Sequence, residues 1–337
     1  MKMLLFGGTS FFGRSIARYF RDAGYGVTLF TRGNVRPPDL RGISHVPGDR
    51  SRKEDLLNLL TAGPWDVVID NIGYDGMSTA QLLGVLGEVG HYIFCSTVSV
   101  YRYVRDRYPQ PLQESATDPD FRPTVEDLKN PHWSYARGKL EAERIVRQQR
   151  GLPWTILRPS VVYGPYVVTA RGFWYLARIL RGGPLLLADG GCASFRLSYS
   201  EDVARSFLEV AGHRSATVGK IYNVAQSEIL TLRDFVEESV AALGKKADVV
   251  SVPLEVLGDW AGPYGGMVNL VQDTTAAARD FGHVPTPWEI FAETTAKWFV
   301  DSWHGNWDKM LKTRNHELEF AVRWRAATTT FPARSLA

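Results

Sequence analysis

The N-terminal segment limits the fold more than any other part of the chain. Residues 3–6 are an apolar run that predicts a short buried strand, residues 7–13 (GGTSFFG) predict a tight turn, and residues 14–23 predict a helix. Glycine lets a backbone approach a phosphate closely, and the unpaired N–H groups at the start of a helix stabilise negative charge. The order strand, glycine turn, helix therefore predicts a binding site for the pyrophosphate of a dinucleotide.

Strand-like and helical patterns alternate after this turn. Further strands are predicted at residues 27–30, 44–48, 67–70, 92–96, 154–157 and 221–224, and helices at residues 54–61, 78–88 and 135–150. Such alternation is typical of parallel strands joined by helices. The predicted fold class is α/β: a Rossmann-type, doubly wound parallel sheet with a smaller α/β lobe for substrate.

The alternation of short strand and helix patterns ends at residues 166–194 and again after residue 225. Glycine and proline there separate longer helical patterns at 232–243 and 287–302. We expect a Rossmann domain of residues 1–165 and 195–225 and a substrate lobe of residues 166–194 and 226–303. Cofactor and substrate are expected at the carboxyl ends of the strands. Residues 304–337 are expected to form a C-terminal extension packed on the body; its arginines and tryptophans leave contact with RNA or another anionic ligand as an alternative.

Composition argues against several classes of protein. The chain has 337 residues, a net charge of +3, and only two cysteines, Cys95 and Cys192. Scattered basic residues make a nucleic-acid partner unlikely over most of the chain, and the cysteine spacing predicts neither a metal site nor a disulfide framework. No apolar run approaches the roughly 18 residues of a membrane span. We expect a cytoplasmic enzyme with a small-molecule substrate and no membrane partner.

Tyr135 and Lys139 lie four residues apart and therefore share one face of a predicted helix. An ammonium beside a phenol favours the phenolate, which lets tyrosine exchange a proton with a substrate hydroxyl or carbonyl. Upstream, the predicted strand at 92–96 leads into Thr97, whose hydroxyl can bond the same substrate oxygen. The candidate catalytic residues are thus Thr97, Tyr135 and Lys139.

Motifs in this order resemble the extended short-chain dehydrogenase/reductase family, in its sugar-nucleotide epimerase/dehydratase branch. They are residues 7–13, Ser96-Thr97 with Val100-Tyr101, Tyr135 with Lys139, and Leu157-Arg158-Pro159 with residues 162–165. The resemblance covers about residues 1–300. It implies a Rossmann domain, a nicotinamide cofactor and a Thr-Tyr-Lys triad.

The chain departs from the family pattern at two places. Ser10 stands where the family has its middle glycine, and it still offers a backbone N–H. The segment between Gly73 and Ser96 is shorter than the helical segment of typical members, which often contributes to dimerisation; a homodimer therefore stays open. The shortening resembles atypical members described as reductases, some of which bind RNA in plastids.

The end of the second predicted strand bears on the choice of cofactor. Thr31 and Arg32 stand where an NAD site usually has Asp or Glu for the ribose hydroxyls. A guanidinium suits a 2′-phosphate, so NADP(H) is favoured, with Arg36 as a second contact and NAD(H) as the alternative. By resemblance, Asp49 meets the adenine amine and residues 71–73 pass beneath the nicotinamide ribose. The candidate cofactor-binding residues are Gly7, Thr9, Ser10, Phe11, Phe12, Gly13, Thr31, Arg32, Asp49, Arg50, Asn71, Ile72, Gly73, Tyr135, Lys139 and Pro159.

The residues after Thr97 limit the reaction. Val98 and Ser99 occupy the positions where sugar-nucleotide dehydratases commonly carry an Asp-Glu pair, so dehydration and the related decarboxylation are disfavoured. What remains is hydride transfer at a carbinol or ketone carbon, by an NAD(P)-dependent reductase or epimerase. The loop of residues 102–131 is expected to cover the active site, and its Glu114 or Asp118 would be the carboxylates available for dehydration.

The expected substrate is a sugar or a sugar nucleotide. Candidate substrate-binding residues are Ser99, His132, Arg178 and Arg196. Two alternatives stay open: a reductase of a non-sugar ketone, and a dinucleotide-binding protein that binds RNA or a protein partner and keeps a vestigial triad.

Overall fold

The computed structural model describes residues 1–59, 62–104, 106–117, 131–167, 171–265 and 269–330. The chain divides into two compact units. The first unit comprises residues 1–168, 196–227 and 271–286, and the second unit comprises residues 169–195, 228–270 and 287–337.

A seven-stranded sheet lies at the centre of the first unit. Its strands are β1 (Lys2–Phe6), β2 (Gly26–Thr31), β3 (Ser44–Pro47), β4 (Trp65–Asp70), β5 (Val89–Cys95), β6 (Trp154–Pro159) and β11 (Lys220–Val224). Their order is β11-β6-β5-β4-β1-β2-β3, and every neighbouring pair is parallel. The strand order reverses between β1 and β4, and ligands of doubly wound sheets bind at the carboxyl ends beside such a reversal. The predicted fold class is confirmed.

Helices cover both faces of this sheet. They are α1 (Phe11–Asp22), α2 (Lys53–Leu57), α3 (Gly76–Leu83), α4 (Pro131–Arg147), α6 (Ser200–Gly212), α7 (Arg214–Thr217) and α11 (Thr275–Phe281), with 3-10 turns at Pro38–Leu40 and Val98–Tyr103. The short strands β7 (Val161–Tyr163) and β10 (Leu197–Tyr199) form a separate parallel pair. Successive strand residues point to opposite faces: Met3 and Leu5 join one buried apolar cluster, Leu4 and Phe6 the other. Burial on both faces explains why β1 is a continuous apolar run.

The second unit mixes short strands with longer helices. Its strands are β8 (Pro184–Ala188), β9 (Ser194–Phe195), β12 (Leu230–Thr231) and β13 (Asp248–Val252). Its helices are α5 (Arg171–Arg181), α8 (Leu232–Ala242), α9 (Leu254–Leu257), α10 (Gly262–Gly265), α12 (Trp288–Ser302), α13 (Trp307–Leu311) and α14 (Arg314–Thr330), with 3-10 turns at Asp189–Gly191 and Gly258–Ala261. β8 pairs with β13 in parallel, and β9 pairs with β12 antiparallel.

The compact units differ from the expected domains in the segment of residues 271–286, which belongs to the first unit. The reason is hydrogen bonding between distant parts of the chain: the Leu112 N–H donates to the Val271 carbonyl at 2.7 Å, and the Asp273 N–H donates to the Leu112 carbonyl at 2.9 Å. These bonds also fix part of the loop expected to cover the active site. Helix α3 ends at Leu83, short of the predicted residue 88, because Val89 already begins β5.

The expected C-terminal extension is part of the second unit as far as the structure describes it. The Trp324 indole N–H donates to the Ser251 carbonyl at 3.1 Å, and Ala321 is buried against β8 and β13. Residues 331–337 lie outside the described part of the chain. Among the described helices, none has the length and the apolar character needed to cross a membrane.

Candidate active site

The glycine turn after β1 makes a close-packed cradle. Gly7 and Gly8 have φ values of +94° and +96°, in the region that favours glycine. A Cβ atom on Gly13 would lie 2.8 Å from the Asn71 amide nitrogen and 3.1 Å from the Gly8 nitrogen. A larger residue at position 13 would therefore push α1 away from the turn, and the cradle fits the close approach of a pyrophosphate.

The N-terminus of α1 has the properties of an anion-binding helix start. The side chain of Ser10, the residue that precedes the helix, makes no capping hydrogen bond, and the first turn contains no acidic residue. The orphan N–H groups and the positive end of the helix dipole therefore face no competing negative group from that turn. Ser10 has an extended backbone, which needs no glycine, whereas Phe11 carries the positive φ of +48°. The strain of this turn thus falls on Phe11.

Asn71 and Gly73 form the neighbouring loop after β4. The Asn71 side-chain carbonyl oxygen is buried and has no hydrogen-bond partner among the described residues. A Cβ atom on Gly73 would lie 2.6 Å from the Phe94 ring and 2.7 Å from an Asp70 carboxylate oxygen. Native proteins seldom leave a buried acceptor unpaired, so this orphaned oxygen fits a site that a ligand completes. Ile72 follows Asn71 in the same loop, and Pro159 ends β6.

Arg50, a candidate cofactor contact, is bonded to an acid at the end of β4. Its guanidinium donates to both oxygens of Asp70, at 2.6 Å and 3.1 Å. Asp70 is fully buried and also accepts from the Tyr92 hydroxyl at 3.0 Å and from the Ile72 N–H at 3.2 Å. Burial raises the pKa of the Asp70 carboxyl, but the Arg50 charge outweighs this and holds the pKa below its usual range. Arg50 therefore holds the loop of residues 71–73 through Asp70, which also bonds the Ile72 N–H. The sequence signal for Asp70 was an acid at the very end of an apolar strand.

Lys139 connects α4 to the end of β5. Its Nζ donates to the Cys95 carbonyl at 2.6 Å, and the side chain is 2% exposed. The ammonium also lies 5.1 Å from the ring centres of both Tyr74 and Phe94. Burial lowers the pKa of Lys139, while the Asp70 charge opposes that effect. The arrangement places a desolvated cation at the strand end that carries the candidate threonine.

Tyr135 and Thr97 lie on the two elements that Lys139 connects. Tyr135 precedes Lys139 by one helical turn and is 37% exposed, with its ring centre 6.3 Å from that of Tyr74. Thr97 caps the 3-10 turn Val98–Tyr103, and its hydroxyl oxygen accepts from the Ser99 N–H at 3.2 Å. An exposed phenol, a buried ammonium and a hydroxyl at a strand end are the groups that proton transfer to a substrate oxygen needs.

A buried polar network holds these elements together, and the sequence reading missed its central residue, Glu143. The Glu143 carboxylate accepts two hydrogen bonds from Arg158, at 2.6 Å and 2.8 Å, and one from the Ser96 hydroxyl at 2.5 Å. Arg158 also donates to the Tyr101 hydroxyl at 3.0 Å. Because Glu143 follows Lys139 by four residues, it shares the helix face of the candidate catalytic pair, and this spacing was the available signal.

The carboxyl end of β2 presents a basic edge. Arg32 is exposed, and Thr31 is bonded through its hydroxyl oxygen to His45 Nε2 at 2.8 Å. Asp49 is engaged with its own turn, where it accepts from the Ser51 N–H at 2.9 Å; this bond lowers the pKa of Asp49. His45, on β3, was not among the residues singled out from the sequence.

The candidate substrate-binding residues fall into different environments. Ser99 is half-buried beside Thr97, and His132 is exposed in the first turn of α4. Arg196 donates to the Gln272 carbonyl at 2.7 Å. For Arg178 the prediction is wrong: it is fully buried in the second unit and forms an ion pair with Glu317 at 2.6 Å, so no solvent-facing guanidinium is left for a substrate.

The carboxylates considered for dehydration do not gather at Thr97 in the described residues. Val98 is buried, and the Glu114 carboxylate accepts from the Asn223 N–H of β11 at 2.8 Å. Burial raises the pKa of Glu114. Asp118 lies outside the described residues.

Comparison with known proteins agrees with the motifs. Residues 70–225 match the model of the NAD dependent epimerase/dehydratase family. The resemblance drawn from the motifs is confirmed.

Two curated relatives show how the match extends. The chloroplast stem-loop binding protein of 41 kDa b from Arabidopsis thaliana is 31% identical over 243 residues, which are 68% of this chain and 60% of that protein. The chain thus spans less than two thirds of that relative. The 2-alkyl-3-oxoalkanoate reductase of Stenotrophomonas maltophilia is 26% identical over 72% of this chain and 76% of its own length.

A solved structure shares the fold. The UDP-glucuronic acid 4-epimerase of Bacillus cereus, in complex with UDP-glucuronic acid and NAD, superposes with a TM-score of 0.69 at 20% identity. The match covers 90% of this chain and all of that one. At this identity the likeness shows the fold alone.

Proposed function

We propose that the protein is an NAD(P)-dependent oxidoreductase or epimerase that acts at a carbinol or ketone carbon of a sugar or sugar nucleotide. The observation that carries the proposal is the attachment of Lys139 to the Cys95 carbonyl at 2.6 Å. It fixes the helix of Tyr135 against the strand end of Thr97. The orphaned Asn71 oxygen and the uncapped start of α1 support a bound dinucleotide.

The chemistry divides among three side chains. A nicotinamide cofactor, when bound, supplies the hydride donor or acceptor. Tyr135 gives a proton to the substrate oxygen during reduction of a ketone and takes it back during oxidation of the carbinol. Lys139 stabilises the phenolate form of Tyr135 by its positive charge, and Thr97 donates a hydrogen bond to the same substrate oxygen.

Loss of water from the substrate is not part of the proposal. Elimination needs a base for the proton next to the carbonyl and an acid for the departing hydroxyl. Val98 and Ser99 supply neither, and the Glu114 carboxylate is bonded to Asn223. Simple reduction, or epimerisation by return of hydride to the same carbon, is therefore favoured.

A second candidate is a reductase of a non-sugar ketone. The similarity to a 2-alkyl-3-oxoalkanoate reductase favours it. The name of the Arabidopsis relative, a stem-loop binding protein, raises nucleic-acid binding as well. Two candidate RNA-contacting residues of the C-terminal extension are, however, engaged within the protein: Arg314 donates to the Gly182 carbonyl at 2.6 Å, and Trp324 donates to the Ser251 carbonyl. We therefore favour a small-molecule substrate over nucleic acid; a cytoplasmic location stays a prediction from the sequence.

The test is a comparison of wild type with Tyr135→Phe on sugar nucleotides, free sugars and 3-oxo acids, each with NADPH and NADH. We expect Tyr135→Phe to lower turnover by about 10²–10⁴-fold with little change in cofactor affinity, because the phenol acts on the substrate oxygen. A Tyr135→Phe enzyme with most of its activity would overturn the assignment. A product lighter by one water in the mass spectrum would show a dehydratase.

For the cofactor we propose a preference for NADP(H), because Arg32 is exposed where an acidic ribose partner would favour NAD. Titration of intrinsic tryptophan fluorescence compares the two affinities in wild type, in Arg32→Ala, and in Arg41→Ala as a control at another exposed arginine of the same unit. We expect only Arg32→Ala to lose the preference. Equal affinities in wild type would contradict it.

A further inference from the structure

His45 sits at the basic edge beside Arg32 with both ring nitrogens in use. Its Nε2 lies 2.8 Å from the Thr31 hydroxyl oxygen, and its Nδ1 lies 3.4 Å from Nη2 of Arg36. It is half-buried on β3, the last strand of the sheet, where its backbone lies beside Leu29 of β2. The ring is therefore held at the carboxyl end of β2 by Thr31 and Arg36.

These contacts limit how the two ring nitrogens can hydrogen-bond. Arginine can only donate, so His45 Nδ1 accepts from Arg36 and carries no proton. The single ring proton is then on Nε2 and is donated to the Thr31 oxygen, which also accepts from the Gly33 N–H at 3.2 Å. In this arrangement Arg36 is the donor that faces Nδ1.

A phosphate at this edge would change the arrangement. A phosphate monoester offers three acceptor oxygens and nearly two negative charges, for which Arg36 would leave the long contact with His45. Nδ1 would then have no donor facing it and would face an anion, and the stable state of the ring has a proton on both nitrogens. Nε2 would keep its bond to Thr31, while Nδ1 would donate to the phosphate.

We propose that His45 is a specificity residue for the 2′-phosphate of NADP(H), and that it takes up a proton when the phosphate binds, so that selectivity for NADP(H) over NAD(H) increases as the pH falls. The proposal rests on the proposed cofactor preference and names a regulation of the same site. NAD(H) lacks the phosphate and leaves the contact between Arg36 and His45 in place.

The charged neighbours of His45 are consistent with this role. Arg32 and Arg36 follow β2, and both are positively charged and exposed. Asp49 follows β3 and is bonded to both the N–H and the hydroxyl of Ser51. It lies close enough to Arg32 for the two charges to interact. The described contacts show no carboxylate on His45 itself, which leaves the phosphate as the anion that would stabilise the imidazolium.

The experiment measures the ratio of the dissociation constants of NAD and NADP between pH 6.5 and pH 8.5. Uptake of one proton changes this ratio by at most about tenfold per pH unit. For wild type we expect the preference for NADP to be at least about threefold greater at the lower pH. His45→Gln is the matched variant, because glutamine can donate to Thr31 and accept from Arg36 but cannot be protonated. His213→Gln, at an exposed histidine of the same unit, is the control for general pH effects.

In His45→Gln we expect a flat ratio, or one that falls with acid, because a phosphate monoester itself gains a proton near pH 6. Calorimetry in buffers of different ionisation enthalpy should record proton uptake on NADP binding by wild type, and none beyond the NAD value in the variant. Unchanged NAD affinity reports that the variant is folded, and His45→Thr is a second neutral replacement suited to a strand.

The outcomes separate the two proposals. If wild type prefers NADP but the ratio is independent of pH, or if His45→Gln behaves like wild type, the role of His45 is wrong and the cofactor preference stands. If wild type shows no preference for NADP at any pH, both are wrong.

Discussion

Among the described residues, each unit buries an arginine that donates two hydrogen bonds to one glutamate, and these two pairs have different surroundings. In the first unit Arg158 pairs with Glu143 at 2.6 Å, and in the second Arg178 pairs with Glu317 at the same distance. All four side chains are at most 3% exposed. Both arginines stood out in the sequence, Arg158 in a family motif and Arg178 as a candidate substrate contact.

The partners of each pair show the difference. Glu143 accepts a hydrogen bond from the hydroxyl of Ser96, the residue before Thr97. Arg158 donates to the Tyr101 hydroxyl, which in turn donates to Asn223 of β11. Arg178, in contrast, donates to the carbonyls of Trp174 and Met310, which belong to helices α5 and α13. A buried arginine is thus evidence of function only when its network reaches groups that chemistry could use. The pair of Arg158 and Glu143 supports the candidate site, whereas the pair of Arg178 and Glu317 holds helices α5, α13 and α14 together.

Replacement of the arginine in a buried pair should have the largest effect on the stability of the protein. We expect Arg158→Met to lower the free energy of unfolding by about 3–5 kcal/mol, because it leaves the Glu143 carboxylate buried without its cation. Arg178→Met should lower it less, because Arg314 remains 3.4 Å from the Glu317 carboxylate. Chemical denaturation measures this loss. Only Arg158→Met should also lower turnover of the folded enzyme, since it frees Glu143 and Ser96 beside Thr97.

Double replacement sharpens the test. Arg178→Met with Glu317→Leu removes this pair and leaves Arg314, which loses its carboxylate but keeps its bonds to the Gly182 and Pro184 carbonyls. The double variant should therefore recover part of the stability that Arg178→Met loses. If Arg178→Met reduced cofactor affinity or turnover as strongly as Arg158→Met at a temperature where both are folded, the distinction between the two pairs would be wrong.

Much of the first unit could be predicted from its sequence. Residues 3–6 are apolar and lie on a strand buried on both faces, so periodicity and burial indicate the same structure. The boundary of α3 was missed because residues 84–88 continue a helix-like pattern while the chain already turns toward β5 at Val89. Pairing of residue 271 with Leu112 depends on residues far apart in the chain, which no local pattern reports.

In the candidate site, too, local sequence patterns did not report contacts between residues far apart in the chain. Local spacing was sufficient to predict that Tyr135 and Lys139 lie one turn apart on a single helix, as they do on α4, while their catalytic roles stay predictions. Arg50 was a candidate cofactor contact, and its partner Asp70 lies twenty residues further along the chain. His45 was missed since its contacts with Thr31 and Arg36 require β2 and β3 to be paired. Roles that depend on side chains from different strands could not be derived from one-dimensional spacing.

Low pH should weaken the pair of Arg178 and Glu317 in the second unit and lower the stability of the protein, by less than the loss of a buried partner does. Burial raises the pKa of Glu317, but hydrogen bonds from Arg178 and Thr313 and the arginine charges outweigh it, and the pKa lies below its usual range. A carboxyl whose pKa is lower in the folded state stabilises the protein above the unfolded-state value, near pH 4, and loses that contribution as the pH falls through the folded-state value. Thermal unfolding of wild type should therefore weaken between pH 5 and pH 3 more steeply than that of Glu317→Gln. Equal slopes would show that the pair contributes nothing to acid stability.

The two cysteines give the smallest and most local test of the comparison. Cys95 is buried at the end of β5, and burial raises the pKa of its thiol to about 11, whereas Cys192 in the second unit is exposed. Because the thiolate is the reactive form, a thiol reagent at pH 8 should label Cys192 within minutes and Cys95 only when the first unit opens. Peptide mass spectrometry should therefore find one modified cysteine in the native protein and two after denaturation.

Arg158→Met should speed the labelling of Cys95, because it loosens the network that holds Ser96 next to that cysteine, and Arg178→Met should leave it unchanged. Equal acceleration by both variants would mean that the two buried pairs protect the molecule as a whole and that neither is specific to its own region.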